Sequence, residues 1–185
     1  TSLVAGSERL KFTAGEIEGA YLIEPDRRVD DRGHFARLWC SQELAAHGLN
    51  GTIAQINTGV SPRRGTLRGL HYQLAPHAEV KIARCFRGAV FDVAVDLRPG
   101  SPTFRRWMGV ELTAGNGRLL YVPEGCAHGY LTLTDDVELV YLTSRPYAPE
   151  AARGVRYDDP AFGISWPREA VVISQADRNW PLFPA

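Results

Sequence analysis

Apolar and polar residues alternate along much of the chain in short runs, with a period nearer two than 3.6. The clearest run is Ala89 to Leu97, where Phe91, Val93, Val95 and Leu97 alternate with Asp92, Ala94 and Asp96. That spacing predicts a strand with one set of side chains on each face. Val80 to Phe86 precedes it, and the intervening Arg87-Gly88 predicts a tight turn that joins the two runs as a hairpin. Further strands are predicted at Ala20–Glu24, Gly51–Asn57, Trp107–Leu112, Leu119–Val122, Tyr130–Leu133 and Val137–Ser144. Helix is scarce. Ser41 is placed to cap a short helix running to about His47, with Gly48 as its terminator, and Ser174 to cap a second that stops before Pro181.

Repeated strands and turns without βαβ alternation predict an all-β jelly roll with a few short peripheral helices. The 185 residues suffice for a single domain over 1–185 with a substantial core, residues 1–10 being expected as a poorly ordered N-terminal extension. The formal net charge is zero, which gives no general attraction to nucleic acid or to anionic membranes, and no apolar run approaches a membrane span. Cys40, Cys85 and Cys126 are isolated, without CxxC spacing. Together with the lack of a signal-peptide pattern, they predict a cytoplasmic protein in a reducing compartment. Of the 21 basic residues, 19 are Arg and only Lys11 and Lys81 are Lys, which makes a lysine inside a strand-like run worth attention.

Candidate chemistry centres on Arg68-Gly69-Leu70-His71-Tyr72-Gln73 and, about fifty residues on, Pro123-Glu124-Gly125-Cys126-Ala127-His128-Gly129-Tyr130. Both read as half-motifs of a small barrel, each delivering a histidine inward. Gln73 stands where a metal-binding barrel would carry the second histidine of a His-x-His pair. Two imidazoles without a third or a carboxylate make a poor divalent site, and the spacing of Glu79 lends no specific support, so no metal is expected. His71 reads either as a buried structural histidine or as a base near neutral pH. By pattern alone Lys81 is a solvent-facing lysine on an outer sheet face. Turned inward, it would lose proton affinity through desolvation and could stabilise an enolate oxygen. Tyr141 reads as a core aromatic with its hydroxyl at the rim, and Asp177 as a surface aspartate. Arg32, Arg63, Arg64 and Arg68 offer guanidinium forks suited to phosphate.

Taken in order, six segments resemble one family. They are Asp31-Arg32-Gly33-His34-Phe35, Leu67 to Gln73, Phe91 to Arg98, Ser101-Pro102-Thr103-Phe104, Pro123 to Tyr130 and Gly163-Ile164-Ser165-Trp166-Pro167. From about Ala20 to Pro181 the chain resembles the dTDP-4-dehydrorhamnose 3,5-epimerases and close relatives acting on other nucleotide-linked 4-keto-6-deoxy sugars. The resemblance implies a cupin-type barrel that works as a homodimer on a nucleotide-diphosphate 4-keto-6-deoxy sugar, with no cofactor. It implies His71 as base, Asp177 as its dyad partner, Lys81 at the O4 enolate and Tyr141 as proton donor from the opposite sugar face. It further places Arg68 on the diphosphate and Arg32 near the nucleotide, reaching into a neighbouring subunit. Gln55, Asn57 and His128 would line the sugar and phosphate region, Tyr147 would stack on the base, and Trp166 would pack in the core.

Three positions depart from the family pattern. Arg37 stands where many members carry Glu, His34 where an aromatic is common, and Ala176 where a Lys often precedes the dyad aspartate. The proposed catalytic set is complete, while the nucleotide stays open among dTDP, CDP, GDP and UDP. A 3-only or 5-only epimerase and a non-catalytic sugar-nucleotide-binding cupin are the alternatives.

Overall fold

The protein is described by a computed structural model covering residues 9–184. The N-terminal extension expected over residues 1–10 falls mostly outside the described residues, and Leu10 is a buried strand residue. The first strands are β1 (Leu10–Ala14), β2 (Tyr21–Pro25), β3 (Arg27–Asp30), β4 (Gly33–Ala36), β5 (Gln55–Ser61), β6 (Thr66–Gln73) and β7 (Lys81–Arg87). They are followed by β8 (Ala89–Asp96), β9 (Trp107–Thr113), β10 (Leu119–Val122), β11 (Cys126–Thr132), β12 (Val137–Thr143), β13 (Ala152–Gly154) and β14 (Val172–Ile173). Two short helices are described, α1 (Ser41–Ala46) and α2 (Gln175–Arg178).

Two sheets form the body. One runs β1-β2-β10-β7-β12-β5; the other runs β13-β6-β11-β8-β9, with β14 parallel beside β6. From β7 to β12 the chain passes repeatedly between them, which is the jelly-roll connection anticipated from the strand pattern. A separate antiparallel ribbon, β3-β4, carries Arg32 at its turn.

The expected β7–β8 hairpin is not formed. β7 pairs with β10 and β12, whereas β8 pairs with β11 and β9 in the other sheet. Gly88, at φ +75°, turns the chain from one sheet to the other. Alternation correctly marks each run as a strand but carries no information about which strand lies beside it. The strand expected at Gly51–Asn57 starts later, at Gln55, because Asn50 Oδ1 accepts from the Thr52 N–H and turns the chain first. Ser41 is the first residue of α1 and not its cap. Cys40 occupies the cap without a side-chain hydrogen bond, and Gly48 follows the helix at φ +69° as expected. Ser174 does cap α2, accepting the Asp177 N–H at 3.0 Å.

Side-chain parity fixes three packed layers. Between the sheets lie Ala83 and Cys85 of β7, Leu120 and Val122 of β10 and Leu139 of β12, against Val90 and Ala94 of β8, Leu112 of β9 and Tyr130 of β11. Behind the first sheet, Leu44 of α1 packs with Leu10, Ile23, Ile82 and Leu119. Behind the second, Val155 and Phe162 of the C-terminal segment cover Leu70, Val93 and Val95, with Trp166 packed against them. Both faces of β8 are therefore buried, so the polar half of its alternation, Asp92 and Asp96, is interior.

Asp96 shows how such a group is tolerated. Its carboxylate accepts from Arg98 Nε at 2.9 Å, from Thr103 Oγ1 at 2.7 Å and from Ser101 Oγ. Burial opposes ionisation, but these donors outweigh it and hold the pKa down, from 3.8 to about 2. A depressed carboxyl stabilises the fold above its ordinary pKa and loses that contribution as pH falls from about 4 to about 2. Asp96→Asn is expected to cost roughly 2 kcal/mol at neutral pH and to flatten the acid side of the stability curve. Urea melts at several pH values would measure both effects.

Candidate active site

The two half-motifs become neighbouring strands. β6 pairs with β11 so that His71 lies directly opposite His128, and the register shifts between His128 and Tyr130. The strands approach closely at Gly69, where φ is +126° and a Cβ would lie 2.6 Å from the Gly129 Cα. A side chain at either position would force β6 away from β11 and move His71 with it.

His71 Nε2 lies 2.6 Å from Asp177 Oδ1. Asp177 belongs to α2, which β14 and the Ser174 cap fix against β6, and it is buried where the sequence suggested a surface residue. Its other oxygen accepts the Gly69 N–H at 3.3 Å, and Trp180 Nε1 donates to Oδ1 at 3.1 Å. Burial alone would raise the Asp177 pKa, but the hydrogen bonds and the charge of the His71 pair outweigh it and lower the value. Facing an ionised carboxylate, a neutral His71 places its proton on Nε2 and leaves Nδ1 as the proton acceptor.

Lys81 corrects the pattern-based reading. It shares the inward parity of Ala83 and Cys85, is buried, and donates from Nζ to the His71 carbonyl at 3.1 Å. Burial pushes its pKa down, opposed chiefly by Glu79, whose Oε1 is 3.4 Å from Nζ. Tyr141 comes from β12, in the sheet facing His71, and is also turned inward. Burial, and then the negative charge of Glu79, raise its pKa, against a smaller opposing pull from Arg68, so the phenol keeps its proton at neutral pH.

Two adjoining cavities of about 640 and 520 Å³ share a wall formed by His71, Lys81, Tyr141 and Trp180. The first adds Arg68 and His128. Arg68 is tethered by Ser61 Oγ at 3.3 Å and the Val60 carbonyl at 3.1 Å, and His128 is buried against Asp92 at 2.9 Å. The second adds Gln55, Asn57 and Tyr147; Gln55 Oε1 accepts the Tyr147 N–H at 2.6 Å, and Tyr147 is 64% exposed. Arg32 is the candidate that neither cavity includes. It is exposed and paired with Asp30 on the β3-β4 ribbon, while Arg63 and Arg64 lie exposed in the turn before β6.

Several cavity residues carried no signal in the sequence. Trp180 follows Asp177 by three positions, a helical spacing, yet it reads locally as part of a Trp-Pro exit from α2. Arg153 lines the second cavity from β13, a strand of three residues too short to announce itself. Gln73, noted for what it replaces, bridges two loops, since its amide donates to the His77 carbonyl at 2.9 Å and accepts the Ala148 N–H at 2.7 Å. Among the described residues no three His, Cys, Asp or Glu side chains converge as a metal-holding group. Of the departures, Arg37 pairs with Glu43 at 2.6 Å, and Glu43 in turn anchors the Arg9 and Leu10 amides. His34 is exposed on β4 and Ala176 lines the first cavity.

The fold and site define a jelly-roll protein with a histidine–carboxylate pair on one sheet and a tyrosine on the facing sheet around one cavity. Residues 14–185 match the family model described as dTDP-4-dehydrorhamnose 3,5-epimerase. A dTDP-4-dehydrorhamnose 3,5-epimerase of Sinorhizobium fredii is 42% identical over 179 residues, covering 94% of this chain and 90% of the relative. The crystal structure of the Bacillus anthracis dTDP-4-dehydrorhamnose 3,5-epimerase with TDP and PPi bound superposes with a TM-score of 0.90 at 37% identity, covering 94% of this chain and 99% of that one. A 3'-monoepimerase from Streptomyces bikiniensis in complex with dTDP-quinovose superposes at 0.83 with 41% identity, covering 90% of this chain and 85% of that one. This chain belongs to the dTDP-4-dehydrorhamnose 3,5-epimerase family.

The Trp180 hydrogen bond has a readable consequence. Trp180→Phe keeps the ring beside His71 but removes one donor from Asp177 Oδ1. The Asp177 carboxyl should then titrate at higher pH, and the protein should lose about 1 kcal/mol at neutral pH. Carboxyl-carbon NMR titration and urea melts would check this; an unchanged titration would show that the bond does not form in solution.

Proposed function

We propose that the protein inverts C3 and C5 of a dTDP-linked 4-keto-6-deoxyhexose, converting dTDP-4-dehydro-6-deoxy-D-glucose to dTDP-4-dehydro-L-rhamnose. The observation that carries this reading is the placement of His71 and its carboxylate on one sheet and Tyr141 on the facing sheet, around one cavity. The C4 ketone acidifies the protons on both flanking carbons. His71 takes a proton from one face, and the electron pair moves into the ring to form an enolate on O4. Lys81 stabilises that oxygen. Tyr141 returns a proton from the opposite face, and the carbonyl reforms with inverted configuration. A second proton donor on the His71 side would only restore the starting material.

Arg68 is proposed to hold the diphosphate, with His128, Gln55 and Asn57 along the sugar and phosphate and Tyr147 stacked on the base. The nucleotide is taken as dTDP because the Bacillus anthracis and Streptomyces bikiniensis structures carry TDP and dTDP-quinovose. Arg32 is proposed to serve the cavity of a second subunit in a homodimer. Supporting this, the outer face of the first sheet exposes Ile56, Val60 and Phe86, and the ribbon bearing Arg32 exposes Val29 and Phe35. The unpaired thiols of Cys40, Cys85 and Cys126 suit the cytoplasm. Inversion at C3 alone is the second reading, favoured by the likeness to the Streptomyces bikiniensis enzyme, since the same His–Tyr pair can serve either carbon.

Incubation with dTDP-4-keto-6-deoxyglucose in deuterated water, followed by proton NMR, tests the reading. Exchange at C3 and C5 with an L-configured product is expected; exchange at C3 alone would establish the second reading, and none would overturn both. His71→Ala should abolish exchange, whereas Tyr141→Phe should still exchange but invert at least about a hundredfold more slowly. Ile56→Arg with Val60→Arg should shift the protein from dimer to monomer in analytical ultracentrifugation, and an unshifted dimer would place the interface elsewhere.

A further inference from the structure

One charged side chain of the cavity wall has no part in the chemistry above. Glu79 is half-buried as a residue, but only 9% of its side chain is exposed, and it lines the second cavity next to Lys81 and Tyr141. Its Oε1 lies 3.4 Å from Lys81 Nζ, and its Oε2 accepts from Gln73 Nε2 at 3.3 Å. Gln73 is itself pinned by the Ala148 N–H and the His77 carbonyl, so the carboxylate is held in place through a fixed amide. A carboxylate costs several kcal/mol to bury and persists only where it is compensated.

We propose that Glu79 is a positioning residue of the reaction: its carboxylate holds Lys81 as an ammonium, the form in which that side chain must meet the substrate. This rests on the role proposed above for Lys81.

The surrounding charges leave Glu79 as the group suited to that role. Asp92 of β8 also acts on Lys81, but less than Glu79 does; its Oδ1 is engaged by His128 of β11 at 2.9 Å and its Oδ2 is buried without a partner among the described residues. Asp177 is taken by His71 of β6 and by Trp180, and Arg68 acts on Tyr141 in the opposite sense. Burial presses Lys81 to give up its proton and Glu79 to take one, and each opposes the other's shift. Removing the negative charge of Glu79 lowers the proton affinity of Lys81 and of Tyr141 alike. Both changes act on the same side of the pH profile: the alkaline limb moves to lower pH.

Lys11 and Lys81 are the only two lysines of the chain, so protein labelled with carbon-13 at lysine Cε gives two resonances, with exposed Lys11 as internal reference. Lys81→Arg assigns them. In Glu79→Gln, Lys81 is expected to titrate at lower pH than in the native chain while Lys11 stays put. Deuterium exchange into dTDP-4-keto-6-deoxyglucose should fall on the order of tenfold at the alkaline end and stay near native at the acid end. Glu79→Asp, which keeps the charge, should lie between the two, and Glu79→Ala gives the same reading if the glutamine variant does not fold. A Lys81 titration identical in native and Glu79→Gln protein overturns the proposal, as does a shifted titration with an unchanged alkaline limb. Absence of exchange in the native chain would overturn the functional reading and the catalytic half of this one, while the lysine titration would still decide the pair.

Discussion

Everything in this structure that bears on chemistry depends on keeping ions between two apolar sheets. An isolated charge there is prohibitively costly, so the buried carboxylates and Lys81 are set beside polar partners: Asp177 with His71, Glu79 with Lys81, Asp92 with His128 and Asp96 with Arg98, although Asp92 Oδ2 is left without one among the described residues. Two of the four pairs are made between different elements, His71 with Asp177 and His128 with Asp92. Asp177 arrives on α2, His71 on β6, His128 on β11 and Asp92 on β8. Those pairs therefore exist only once the elements have come together, and closure in turn sets each ion against the partner provided. A core of Val90, Leu112, Leu120 and Leu139 holds the sheets at that spacing.

Closure also supplies the two-sidedness that an inverting enzyme needs. Neighbouring strands of one sheet present inward groups to the same side of a ligand, whereas facing sheets present them to opposite sides. His71 and Tyr141 stand on facing sheets, and the Lys81 ammonium ties the first sheet to the His71 carbonyl of the second. The same contact joins the lysine to the strand that carries the histidine, so a shift of one sheet against the other would disturb both.

Membership of the family does not make every position familiar. Arg37, a departure from the sequence pattern, is drawn into a pair with Glu43 that secures the start of β1, a structural use in this chain. Ala176 puts only a methyl group beside the first cavity, next to Asp177. Arg68 then carries more of the positive charge on that side, with Arg153 on the other.

The order and nature of most elements were legible in the residues alone. Period-two alternation marked β8, β9, β10 and β12 nearly to their ends, and Ser174 announced the cap of α2. Those signals are local, set by backbone periodicity and by hydrogen bonds within a few residues, so they survive in a one-dimensional reading. Resemblance supplied His71, Lys81, Tyr141 and Asp177 as a set, where pattern alone favoured an exposed lysine and a surface aspartate. Tertiary structure decided the rest: that β7 and β8 part into different sheets, that both faces of β8 are interior, and that Glu79 and Trp180 join the site. Strand pairing and burial depend on partners far along the chain. The charge a side chain carries follows from that burial, so the run of residues around Lys81 could not reveal that it turns inward and needs a carboxylate beside it.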